Sequence, residues 1–144
     1  MASDAHAQFS GTQAVAAQHA FDENRLLEYL RPRIEGVGPS LLVEQFKGGQ
    51  SNPTFRLATG GRYFVLRRKP LGVLLPSAHA VEREFRVISA LAETEVPVAR
   101  AHLLCEDLDV IGSAFYVMEC VQGRILWDPA LPGMTAAQRS AIFD

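Results

Sequence analysis

The chain has 144 residues, 48% hydrophobic and 21% charged, the balance of one globular domain with a real core. Its formal net charge of −2 argues against a nucleic-acid-binding surface, and no apolar run is long enough to span a membrane. The two cysteines, Cys105 and Cys120, offer neither metal-ligand spacing nor a disulfide framework; they read as buried thiols in a reducing, cytoplasmic setting.

Residues 1–20 are rich in Ala, Gln and Ser. They lack the basic start and continuous apolar core of a signal peptide, so a disordered leader is expected. Phe21 to Glu35 reads as a helix capped by Asp22, with Leu26, Leu27, Leu30 and Ile34 as its apolar stripe. Pro32 kinks or restarts it, and Gly36, Gly38 and Pro39 end it.

Residues 41–47 form a first strand and 53–58 a second. Between them lies the turn Gly48, Gly49, Gln50, Ser51, Asn52. Glycine allows close backbone approach, so such a turn can present free N–H groups to phosphate oxygens, though most Gly-Gly links are turns and nothing more. Thr59-Gly60-Gly61 is a hairpin turn into a third strand, 62–68. The loop 69–77 is unusually apolar, through Leu71, Val73, Leu74 and Leu75, and reads equally as an edge cover or as a lid or partner contact.

Residues 78–92 form a second helix, with Ser77 as a cap and Val81, Phe85, Ile88 and Leu91 as the buried face. Glu82 and Arg86, four apart, suit a surface pair. Glu84 lies on the apolar face and needs a cation. Alternation on the third strand puts Val65, Arg67 and Lys69 on one side, so Arg67 is expected to reach Glu84. The pair has two readings: it fixes helix on sheet, or it holds a cation over a bound phosphate.

Residues 101–106 form a fourth strand, Asp107 to Asp109 a turn, and 110–119 a fifth strand in which Gly112 marks a bulge or a close approach. Cys120 to Gly123 leaves the sheet, and Trp127, Pro129 and Pro132 lie in a loop. From Thr135 to Asp144 a helix begins, with Thr135 and Gln138 as a capping box.

The order of these features resembles the N-terminal lobe of the protein-kinase-like fold. That fold is α+β: a five-stranded antiparallel sheet with a C-type helix and an N-terminal helix. Within it the sequence resembles the aminoglycoside phosphotransferase family, in particular the domain fused ahead of acyl-CoA dehydrogenase domains and its stand-alone bacterial relatives. The stretches that carry the resemblance are FKGGQSNPTFRL, YFVLRRKPLGVLLPSAHAVEREFRVISAL and VPVARAHLLCEDLDVIGSAFYVMECVQGR, within residues 21–144.

The resemblance implies a division into the leader 1–20, a kinase-like lobe 21–123, and a segment 124–144 that leaves the hinge and starts a cut second lobe. It implies ATP and Mg2+ as cofactors, and a small hydroxyl-bearing acceptor. The acceptor is a hydroxyacyl-CoA from the fused relatives, or an aminoglycoside, a choline-like alcohol or a sugar from the wider family. The rest of a longer polypeptide or an acyl-CoA dehydrogenase is the implied protein partner; neither nucleic acid nor membrane is. Gly48 to Asn52 become the nucleotide-phosphate loop, with Ser51 and Asn52 near the β-phosphate. Arg67 stands where the family usually has a phosphate-binding lysine, with Glu84 as its helix partner and Lys69 as a second candidate. Met118 stands at the entrance to the adenine pocket. Glu119 accepts from the adenine amino group through its C=O, Val121 donates to the ring, and Val65 packs on it.

Arginine in place of lysine offers a planar fork and therefore a different geometry. The family's H-G-D catalytic segment is absent: none of His6, His19, His79 and His102 precedes Gly-Asp. The catalytic carboxylate and the metal ligands are therefore expected from a C-terminal lobe, and the chain alone is expected to be inactive. The rival expectation is a non-catalytic half-kinase that docks a partner through the apolar 71–75 loop and the hinge face.

Overall fold

A computed structural model describes residues 10–48, 52–72, 75–76, 78–126 and 128–144. Its centre is a six-stranded antiparallel sheet. The strands are β1 (Thr12–Gln13), β2 (Leu42–Phe46), β3 (Thr54–Thr59), β4 (Arg62–Arg68), β5 (Ala101–Cys105) and β6 (Phe115–Glu119), in the order β1-β2-β3-β4-β6-β5. The helices are α1 (Glu23–Leu30), α2 (Val81–Leu91), α3 (Leu108–Ile111) and α4 (Ala136–Phe143). The α+β lobe expected from the sequence is present, with one strand more than the five anticipated.

The extra strand is β1, within the 1–20 segment for which the sequence predicts a disordered leader. Side chains of β2 hold that segment to the sheet edge. Thr12 Oγ1 donates to Glu44 Oε2 at 2.8 Å, and Gln45 Oε1 accepts from Ala16 N at 3.0 Å. The amide of Gln45 also lies 3.0 Å from His19 Nδ1.

Period-two alternation sorts the strands into two faces. Phe55, Leu57, Phe64, Leu66, Phe115 and Val117 are buried on one face under Leu26, Leu30 and Ile34. Asp22 caps α1 as expected, its carboxylate accepting from Arg25 N at 3.1 Å. The helix ends at Leu30, before Pro32 rather than running to residue 35, because proline cannot supply an interior N–H. On the other face, Val81, Phe85 and Ile88 of α2 pack on Ala114, Tyr116, Leu104 and Met118. Three residues of the expected stripe of α2 are in place, while the fourth, Leu91, is half-buried outside the cluster; the helix starts at Val81 after an Ala80 N-cap that makes no side-chain bond, and Ser77 lies outside the described residues.

Two readings around β6 are corrected. The predicted Asp107–Asp109 turn is instead the start of α3: Asp107 Oδ1 accepts from Asp109 N at 2.9 Å. The predicted 110–119 strand begins only at Phe115, because Gly112 adopts φ +89° and terminates α3 in the left-handed conformation. At the end of the chain the capping box of Thr135 and Gln138 forms as read, at 3.2 Å and 2.9 Å.

The β3–β4 hairpin is locked by a close backbone approach. A Cβ on Gly60, which has φ +59°, would collide with Gly36 O. Beside it, buried Thr59 donates to Ser40 O at 2.6 Å and accepts from Gly38 N at 2.9 Å. Thr59→Val keeps the shape and strands both backbone groups. It is expected to lower unfolding free energy by about 1–2 kcal/mol in urea titration; an unchanged midpoint would remove this role.

Candidate functional site

The sheet face beneath α2 carries the polar constellation. Arg67 sits directly opposite Tyr116 in the β4–β6 register, and Val65 opposite Met118. Arg67 Nε lies 2.8 Å from Glu84 Oε2, the pair expected from the sequence. Tyr116 donates its hydroxyl to the same Oε2 at 2.9 Å, and Asn52 donates its amide to Oε1 at 3.3 Å. Asn52 Oδ1 in turn lies 3.1 Å from His79 Nδ1. One carboxylate thus ties β4, β6, α2 and the exit of the β2–β3 turn together. Burial, and then the hydrogen bond to Glu84, push the Tyr116 phenol well above its ordinary range.

Arg67 Nε is buried and makes no well-aimed hydrogen bond despite its closeness to Glu84. Its contact with the carboxylate is electrostatic, and the Nη groups, which make no hydrogen bond among the described residues, keep donor capacity for another anionic oxygen. Lys69 points elsewhere. Its Nζ lies 3.0 Å from the Glu82 carboxylate, and both line a separate cavity of about 350 Å³ with Pro70, Leu71 and Ser113. The expected Glu82–Arg86 pair is therefore replaced by Glu82–Lys69: the tertiary partner outcompetes the neighbour one turn along the helix.

The other singled-out residues fall as follows. Gly48 is half-buried at the end of the β2–β3 strand pair, while Gly49, Gln50 and Ser51 lie outside the described residues. Asn52 is 2% exposed and turns inward as a brace. Val65 is buried and Met118 half-buried on the Arg67 side of the sheet. Glu119 ends β6, exchanging backbone and side-chain bonds with Arg100 at 2.8 Å each. Val121 is exposed just beyond it.

Two members of the constellation were not singled out from the sequence. Tyr116 was within reach, because alternation from Met118 places it on the Arg67 face. His79 gives no sequence signal; it sits at φ +56° in the link into α2. Among the described residues no group of three His, Cys, Asp or Glu can hold a metal ion, and no helix is long and apolar enough to cross a membrane.

Residues 42–144 match the model of the phosphotransferase enzyme family, APH. The chain is 48% identical over 138 residues to acyl-CoA dehydrogenase family member 11 of Mus musculus, a match covering 93% of this chain and 18% of that protein. It is 45% identical over 140 residues to acyl-CoA dehydrogenase family member 10 of the same species, covering 96% and 13%. Among solved structures it superposes with a TM-score of 0.73 and 53% identity on a protein from Ralstonia eutropha JMP134 provisionally assigned as an aminoglycoside phosphotransferase, covering 87% of this chain and 35% of that one. The chain therefore spans less than a fifth of these curated relatives and about a third of the solved one.

Proposed function

The chain belongs to the phosphotransferase enzyme family, and from that premise we propose that it grips ATP for phosphoryl transfer to a hydroxyl acceptor. The observation that carries this is Arg67, held 2.8 Å from Glu84 by an ion pair that leaves its side chain 31% exposed. A guanidinium fixed by a carboxylate, with a donor to spare, fits a nucleotide phosphate. Lys69 is engaged by Glu82 beside a different cavity, which favours Arg67 as the phosphate contact. Gly48 to Asn52 would line the phosphates, with the Asn52 side chain bracing Glu84 from below. Val65 and Met118 would meet the adenine, and the backbones of Glu119 and Val121 its edge.

Phosphoryl transfer is mainly positioning and electrostatic stabilisation. ATP supplies the phosphoryl group, and Mg2+ neutralises charge on it. This chain's residues hold a cation in place and fix the helix that carries its partner. They offer no H-G-D carboxylate, so the chain by itself is expected to transfer nothing. The relatives named as acyl-CoA dehydrogenases point to a hydroxyacyl-CoA acceptor and to such a dehydrogenase as the protein partner. Two free cysteines suit a cytoplasmic setting.

Calorimetric titration of the chain with ATP, with and without Mg2+, tests the reading. Saturable binding is expected, weakened at least about tenfold by Arg67→Ala. Identical isotherms for parent and variant would overturn the assignment of Arg67.

A further inference from the structure

On the α1 side of the sheet, away from Glu84, three guanidinium groups surround a polar cavity of about 290 Å³. They come from three places: Arg33 from the turn after α1, Arg62 from the first residue of β4, and Arg100 from the residue before β5. His102 completes the wall at the irregular register of β5, its ring edge-on to Phe64 at 5.4 Å. The chain as a whole is net negative, yet these three cations share the cavity lining with one carboxylate, Glu35, and a second, Glu119, stands beside it on the Arg100 backbone. The ion pairs of the described residues engage other cations: Arg56, Arg67 and Lys69.

Two of the arginines are held in place without being neutralised. Arg33 donates to Tyr29 O at 2.8 Å and lies 3.9 Å over the Tyr29 ring. Arg62 donates to Glu35 O at 3.4 Å and lies 5.2 Å over Phe64. Gly36, at φ +91°, makes room for it, since a Cβ there would collide with the guanidinium. The Arg100 guanidinium has no hydrogen-bond or ion-pair partner among the described residues. Inside the cavity wall His102 Nε2 is buried with no hydrogen-bond partner. That nitrogen donates or accepts according to the tautomer, and in the wall of the cavity it is a polar atom left without a partner.

We propose that Arg33, Arg62, Arg100 and His102 form a binding site for a small oxyanion of the phosphate class, separate from the Arg67–Glu84 site. Planar guanidinium forks match the oxygens of such an ion, and positions on three elements supply converging donors. In the tautomer with its proton on Nε2, His102 would donate to the anion as well. Nothing in this depends on the nucleotide reading, because the two sites lie on opposite faces of the sheet.

His102 reports on occupancy. Burial first, then Arg100 and Arg62, hold its pKa below the ordinary histidine range, with Glu119 opposing them; Arg33 and Glu35 are the other charged groups on the cavity. A bound anion offsets the arginines, so the His102 pKa rises. The experiment is NMR titration of the His102 ring with inorganic phosphate at fixed ionic strength. A saturable shift and a raised titration midpoint are expected. Arg100→Ala, which breaks no internal contact of that guanidinium, weakens binding at least about tenfold, while Arg67→Ala leaves the response intact. Glycerol phosphate in a second arm distinguishes a phosphomonoester end group, which also saturates, from a free-ion site, which excludes it. A linear response matched by chloride, an unchanged affinity in Arg100→Ala, or loss of the response in Arg67→Ala would each overturn the proposal.

Discussion

Arg68→Ala is expected to lower the unfolding free energy by about 4 kcal/mol, a large share of the ~5–15 kcal/mol of a typical domain. Arg68 is 1% exposed. Its Nε donates to Ser113 Oγ at 2.8 Å, Nη1 to His19 O at 3.3 Å and Nη2 to Ile111 O at 3.2 Å. Its guanidinium also lies 5.5 Å over the Phe21 ring. No carboxylate pairs with it among the described residues, and burial pulls its pKa below the ordinary arginine range. It nevertheless stays charged, as arginine does in proteins, and pins the segment before α1, the end of α3 and the start of β6 onto β4. Alanine leaves a cavity and strands two carbonyls and a hydroxyl. Methionine fills the cavity but makes none of the bonds, and it also relieves the burial of a charge. Arg68→Met should therefore fall between parent and alanine; the gap between the two variants measures the packing, and the gap between methionine and parent the hydrogen bonds net of the buried charge. Chemical denaturation of all three chains is the check. An alanine variant within about 1 kcal/mol of the parent would mean that burial of the charge cancels its bonds.

Arg68 also shows where the sequence stops speaking. In Arg67-Arg68-Lys69, alternation correctly separates the two arginines onto opposite faces. Nothing in the pattern says that the one facing the apolar core would be satisfied by three neutral oxygens from distant segments. The elements with a repeating pattern were legible: β2, β3, β4 and the apolar faces of α1 and α2 fall within a few residues of their expected places. So was the Arg67–Glu84 pair, because an uncompensated carboxylate on an apolar stripe demands a cation. The edge strand Thr12–Gln13 was not, since two residues carry no periodicity and their order comes from Glu44 and Gln45 on the neighbouring strand. Glu82 was paired from helix spacing, but Lys69 reaches it from the sheet, a contact that spacing along one element cannot express. Asn52 reads as a turn residue facing a ligand. Its inward turn depends on Glu84 and His79, both far along the chain.

Glu84→Gln is expected to cost function heavily and stability little. The side chains of Arg67 and Glu84 are 31% and 34% exposed, so solvent screens much of their attraction. Removing the charge should lower unfolding free energy by no more than about 1 kcal/mol. Glutamine keeps the shape and one acceptor oxygen, so the Tyr116 and Asn52 side chains can stay near their places. It cannot fix a guanidinium by charge. Arg67 then turns toward solvent, and the cation that the proposed reaction needs over the phosphates is no longer held. In a polypeptide that joins this lobe to a catalytic lobe, phosphoryl transfer should fall about a hundredfold, within the range of a lost electrostatic contact in a transition state. A spectroscopic signature separates this from simple loosening. Burial, and then the hydrogen bond and charge of Glu84, raise the Tyr116 phenol pKa. In Glu84→Gln the phenol should ionise at lower pH than in the parent, yet above an exposed tyrosine because it remains buried; ultraviolet titration reads this directly. Tyr116→Phe removes the hydroxyl and leaves the Arg67–Glu84 contact, so it should retain most activity. If Glu84→Gln keeps full activity while its tyrosine titration shifts as expected, the carboxylate serves the fold alone. The phosphate grip would then have to be sought at Lys69.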